Sequence, residues 1–94
     1  MARALWNNTV IAESDVFEVV EGNVYFPPGA LKQQFFKPTE TMTTCSWKGS
    51  CNYFTVTVDG KDNVDAAWGY NTPKDAAKNI AGHVAFWKGV EVQR

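Results

Sequence analysis

Cys51-Asn52-Tyr53-Phe54-Thr55-Val56-Thr57-Val58, followed by Asp59-Gly60 and then by Asn63-Val64-Asp65-Ala66-Ala67-Trp68, is the stretch on which the fold turns. On an extended chain, successive side chains point to opposite faces. Cys51, Tyr53, Thr55 and Thr57 therefore form one row, and Asn52, Phe54, Val56 and Val58 the other. Asp-Gly is a two-residue hairpin signal, so Asn63 to Trp68 reads as the return strand of a β-ribbon. The period is two, not 3.6.

Upstream, the ribbon runs back into Thr43-Thr44-Cys45-Ser46-Trp47-Lys48-Gly49-Ser50, so that Thr43 to Tyr53 holds both cysteines, a tryptophan, a lysine beside a glycine and five hydroxyls. Trp47-Lys48-Gly49 reads as a turn, and the threonine-rich Thr39 to Thr44 as extended chain. Further back, Asn7-Asn8 predicts a tight turn between Ala4-Leu5-Trp6 and Thr9 to Ala12, because asparagine tolerates positive φ. Val16 to Val20 and Val24-Tyr25-Phe26 form a second strand pair around Glu21-Gly22-Asn23. Pro27-Pro28-Gly29 must leave the sheet, since proline cannot donate to a ladder. Leu31 to Phe36, held between that loop and Lys37-Pro38, reads as a strand.

Downstream, Thr72-Pro73-Lys74-Asp75 carries the marks of a helix start, with Thr72 as N-cap, Pro73 in the first turn and Asp75 reaching back. One short α-helix is predicted from about Pro73 to Ile80, with Gly82 ending it. His83 to Trp87 and Val90-Glu91-Val92 are strands separated by Lys88-Gly89. The class is mainly β: a single domain over residues 1–94, built as a compact, twisted antiparallel sheet.

Nine basic residues against ten acidic ones, scattered along the chain, leave no stripe that would follow a phosphate backbone. Nucleic acid is therefore not an expected partner. No apolar run approaches the roughly 20 residues of a membrane span, and the N-terminus has no apolar signal core. A cytoplasmic protein without a membrane partner is expected. Two cysteines separated by six positions match no common zinc spacing, so no metal is assigned. They read as space-filling thiols, or as a reactive pair in which Lys48 lowers one thiol pKa.

The chemistry left to the sequence is limited. No Gly-x-x-x-x-Gly-Lys or Gly-x-Gly-x-x-Gly is present to cradle phosphates. Asp59, Asp62 and Asp65, spaced by three, alternate between strand faces and read as solvated turn and edge positions. His83, the only histidine, reads either as a structural residue at the helix end or as an acid–base group facing Cys45, Cys51 or Tyr53. Trp68 and Tyr70 flank Gly69 and share one face, leaving a step over which a flat ligand would lie.

Thr44-Cys45-Ser46-Trp47-Lys48-Gly49 with Tyr53, then Asp65-Ala66-Ala67-Trp68-Gly69-Tyr70 with Pro73, then Ile80-Ala81-Gly82-His83-Val84-Ala85-Phe86-Trp87, together resemble the domain of unknown function 427 family, sometimes labelled a nucleotidyltransferase domain. Ser46 departs from the pattern, where members often carry proline. The resemblance implies an antiparallel β-fold similar in architecture to B-type methionine sulfoxide reductases, without importing their activity. No Cys-x-x-Cys pair is present for the structural zinc of some proteins of that architecture, and no cofactor is assigned.

The expected function is an unidentified small molecule's pocket, binding or catalytic. It would form where Thr43 to Tyr53 meets Trp68, Tyr70 and His83. Thr44, Trp47, Lys48, Trp68 and Tyr70 are its ligand-binding residues, Lys48 taking an anionic substituent and Trp47 with Trp68 enclosing a planar part. Cys45, Tyr53 and His83 are the candidates for catalytic work. The alternative is a protein-interaction or homo-oligomerisation module, giving a homodimer. Thiol redox chemistry and nucleotidyl transfer rank below both.

Overall fold

A computed structural model describes residues 1–94. The Cys51 to Trp68 ribbon is the centre of its largest sheet, which orders β5 (Phe36–Cys45), β6 (Gly49–Val58), β7 (Lys61–Gly69) and β8 (Val84–Phe86) antiparallel to one another. A second sheet places β1 (Ala2–Trp6) between β2 (Thr9–Ser14) and β9 (Glu91–Gln93). A hairpin pairs β3 (Glu18–Val20) with β4 (Asn23–Tyr25). Two hydrogen bonds between Phe26 and Val84, at 2.8 and 2.9 Å, dock that hairpin against β8. No helix is long and apolar enough to cross a membrane.

The turns follow local chemistry. Asn7-Asn8, Glu21-Gly22, Asp59-Gly60 and Lys88-Gly89 all have positive φ at both residues, as two-residue turns of type I′ require. Alternation then sorts the side chains of the large sheet. Phe54, Val56, Ala67, Val84 and Phe86 face the β1–β2–β9 sheet and pack there with Ile11, Ala12 and Phe26 into the main core. The other rows, Cys51 and Tyr53, Trp68 and Tyr70, and Ala85, form the opposite face with Tyr25.

That second face is only partly covered, and the cover is not the α-helix that the sequence predicts. Asp75–Ile80 is a 3-10 segment broken at Ala77 (φ −123°, ψ 20°), and Lys74, not Thr72, stands at its start without a side-chain cap. Six residues are too few to propagate an α-helix, and three residues per turn place Ala77 and Ile80 on one side, where both are buried. Gly82, with φ +71°, ends the segment as expected. A second expectation also fails. Leu31 to Phe36 is mostly a 3-10 turn at Gln33–Phe35, because the chain must bend after Pro28 to bring Phe36 into β5.

Two irregularities lie side by side across β6. Between Pro38 and Met42, β5 bulges, and between Asn63 and Ala67, β7 does the same. Asp65, in the second bulge with φ 55°, accepts hydrogen bonds at 2.7 Å from Thr39 and from Thr41 in the first. Its backbone carbonyl accepts from Trp87 Nε1 at 2.6 Å. Asp65 is therefore a fastening between three strands and not the solvated edge position its spacing suggests, whereas Asp59 and Asp62 are exposed.

Candidate functional site

Register builds an aromatic wall on the second face. Tyr53 stands opposite Trp68 across the β6–β7 pair, and Trp68 opposite Ala85 across β7–β8, which puts Trp87 at the end of the same row. Docking of β4 on β8 adds Tyr25. The rings meet edge-on, Tyr25 to Trp68 at 6.3 Å and Trp68 to Trp87 at 5.8 Å, with Tyr53 tilted against Trp87 at 6.5 Å. Such contacts favour edge-to-face rings with each polar tip bonded. Trp68 Nε1 donates to Tyr25 Oη at 3.2 Å, and Tyr53 Oη meets Thr43 Oγ1 at 2.9 Å. Between the walls lies a hollow of about 280 Å³, to which Tyr70, Cys51, Asn23 and Lys48 also contribute.

Lys48 is the charged group of this hollow, and the backbone holds it there. Its carbonyl accepts from Lys74 N–H at 2.9 Å, while Lys74 Nζ donates to the Ser46 carbonyl at 2.8 Å, so the 3-10 segment clamps the turn. The Lys48 side chain is 8% exposed and donates to the Glu21 carboxylate, whose side chain is 54% exposed. Its ammonium also lies 5.1 Å from the Trp47 ring and 5.5 Å from that of Tyr70, within cation–π range. Burial pulls the Lys48 pKa down, but the Glu21 hydrogen bond and the neighbouring Tyr25 and Cys45 outweigh it and hold it above the ordinary value. The Lys48 hydrogen bond in turn holds the Glu21 carboxyl below the usual carboxylate range.

The two thiols differ. Cys51, 2% exposed, lines the hollow, and burial pushes its pKa up despite nearby Tyr53 and Tyr70 hydroxyls. Cys45 lies outside the lining, where the backbone N–H groups of Lys48 and Trp47 face its sulfur and, with the lysine charge, lower its pKa. Both thiols are free. Since Thr43 pairs with Cys51 and Cys45 with Gly49, the cysteines are diagonal neighbours, a relation that separates α-carbons by roughly 7–8 Å.

Of the residues that the sequence singles out, the fold brings Lys48, Tyr53, Trp68 and Tyr70 together. The others lie outside the hollow. Thr44 is exposed and paired with Ser50, one step out of phase with Cys45. Trp47, 38% exposed, touches the lysine from outside. His83 turns back on its own loop, with Nδ1 3.0 Å from the Ala81 carbonyl, and does not face Cys45, Cys51 or Tyr53 from within the hollow. Trp68 and Tyr70 do share the lining on either side of Gly69; on the opposite face a Cβ at Gly69 would sit 2.5 Å from the His83 carbonyl, so the glycine is needed for β8 to approach. Asn23, Tyr25 and Trp87 line the hollow without having been singled out by the sequence, and Cys51 was included only as a member of the Thr43 to Tyr53 stretch. Alternation along Val84 to Trp87 separates Trp87 from Phe86 and was a usable signal, but nothing local reveals that β4 docks on β8.

The carboxylates of Asp62 and Asp65 on β7 are each engaged by threonine hydroxyls, Asp62 accepting from Thr57 at 2.7 Å and Asp65 from its two threonines. No three His, Cys, Asp or Glu side chains are grouped to hold a metal ion. Compared with known sequences, residues 1–94 match the model of a family described as a domain of unknown function (DUF427), whose short name, NTP_transf_9, is a nucleotidyltransferase label. No curated protein matches the chain.

Proposed function

Since the chain belongs along its whole length to the domain of unknown function 427 family, we propose a function from the hollow itself: binding of a small planar molecule that carries a negatively charged substituent. The observation behind this is a cavity walled by Tyr25, Tyr53, Trp68, Tyr70 and Trp87 with a single cation, Lys48, in its lining. Ligand sites are mostly apolar, with a few placed polar groups that set orientation. About 280 Å³ lies just below the usual range of roughly 300 to 1,000 Å³, which suits one or two rings and not a nucleoside triphosphate. A second cation would meet the lysine charge, so aromatic walls alone do not argue for a cationic ligand.

Binding is favoured over catalysis by the state of the groups at hand. Burial raises the pKa of both Cys51 and Tyr53, which works against either serving as a base or nucleophile. The free thiols agree with a reducing, cytoplasmic setting. An interaction module draws on exposed Met42, Trp47 and Trp87. Against a dimer formed strand to strand, the outer strand β5 carries Pro38 and a bulge, both devices that blunt a sheet edge.

The test is a two-dimensional NMR titration with benzoate, phenylacetate and indole-3-carboxylate. Binding in the hollow moves the indole N–H signals of Trp68 and Trp87 and leaves that of Trp6 in place. If no planar acid moves Trp68 or Trp87 at millimolar concentration, the hollow is not a ligand site of this kind.

A further inference from the structure

The Lys48–Glu21 pair is lopsided in a way that points to its use. An ammonium has three N–H donors, and the acceptor that the protein supplies to this one is the Glu21 carboxylate. The lysine side chain is buried against Trp47 and Tyr70, whereas more than half of the glutamate side chain meets solvent. The acid can leave into water while the base stays.

Glu21 also breaks a local rule. It occupies the first position of the type I′ turn between β3 and β4, with φ 54°, where Asn, Asp or Gly is the usual choice. Gly22 beside it has φ 79°, and a Cβ there would meet nothing within 4 Å, so the turn is open to solvent on that side. Lys88 stands in the same position of its own turn, with φ 53°, so the strain alone does not set Glu21 apart; its carboxylate reaching the buried lysine does. The turn leads directly into Asn23 and Tyr25, which line the hollow.

We propose that Glu21 is a built-in stand-in for the ligand's acid group, and that the ligand is a planar monocarboxylic acid which takes Lys48 from Glu21 by exchange. This rests on the reading of the hollow as a ligand site and adds the ligand's class and its internal competitor. The hollow offers one positive charge, so a single carboxylate replaces Glu21 charge for charge, whereas a phosphate dianion would leave a negative charge unmatched in a weakly solvated place. The exchange is a non-covalent swap of hydrogen-bond acceptors on Lys48 Nζ, with Glu21 passing to solvent.

The experiment measures dissociation constants of wild type, E21Q, E21N and K48M for benzoate and indole-3-carboxylate, for the matched carboxamides, and for phenyl phosphate. Asn at position 21 keeps a side chain that suits positive φ, so at least one charge-neutral variant retains the turn, and melting curves verify that each protein is folded. Removing the competitor should tighten the carboxylates roughly tenfold in E21Q and E21N and leave the carboxamides unchanged, and K48M should lose the preference for acids over amides. Equal responses of acids and amides, or no response, would overturn the exchange while leaving the hollow as a ligand site. A larger gain for phenyl phosphate than for benzoate would overturn the carboxylate assignment. Failure of every probe on wild type and on both Glu21 variants would remove the ligand site and this inference together.

Discussion

Lys48 is the residue at which stability and function separate most cleanly. Truncating one member of a buried ion pair is damaging when the other charge is left buried, but here the remaining partner, Glu21, faces solvent. K48M, close in volume and apolar, is therefore expected to stay within about 1 kcal/mol of wild type in denaturant unfolding while losing its affinity for acids. Tyr25 behaves oppositely. It is fully buried, and its hydroxyl is the acceptor for Trp68 Nε1. Y25F leaves that indole N–H without its partner, and a loss of about 1–2 kcal/mol is expected in the same assay. Lys48, Tyr53, Trp68 and Tyr70 were legible in the sequence because they stand in or beside a strand whose alternation is plain. Cys51 was legible as a strand residue within the stretch assigned to the pocket, though without a role of its own. His83 lies outside the hollow because its ring direction depends on a local bond to the Ala81 carbonyl, which no spacing encodes.

At the scale of elements, β6, β7 and their Asp59-Gly60 turn follow from the sequence, since their period of two and turn chemistry agree. The Pro73 to Ile80 helix does not. Its start signals are real, but the demand to bury Ala77 and Ile80 three residues apart overrides them. The approach of β8 to β7 at Gly69 offers a direct check. In G69A the new methyl meets the His83 backbone carbonyl, which cannot rotate away, so a loss of roughly 1–3 kcal/mol is expected. Because β8 carries the base of Trp87, the same variant should shift the Trp87 indole signal in the absence of ligand.

For the whole molecule, the carboxyls of Glu21 and Asp65 set the acid limb of stability. Hydrogen bonds from Lys48 and, for Asp65, from Thr39 and Thr41 hold both pKa values below the ordinary carboxylate range. Their contribution is in full force at neutral pH. It falls away only as pH drops below about 4 and on through the depressed folded values. Unfolding midpoints taken from pH 7 down to about pH 2 should therefore bend downward in acid, and D65N should lose part of that bend. The blunted β5 edge predicts a monomer by light scattering at micromolar concentration, and a dimer there would return weight to the interaction reading. Class and antiparallel pairing were readable from turns and periodicity. The division of the large sheet into a core face and a ligand-sized face was not, since it depends on which distant strand covers which row.

The wall that carries Tyr25 hangs on the seam between Phe26 and Val84, and that seam is two hydrogen bonds long. A strand joined so briefly opens more readily than the ten-residue ladder of β6, so the hollow has one hinged side and one rigid side. Whatever lodges against Tyr25 closes the hinge, and its arrival should register as slowed amide hydrogen exchange at Phe26 and Val84 before any change is visible in the middle of β6.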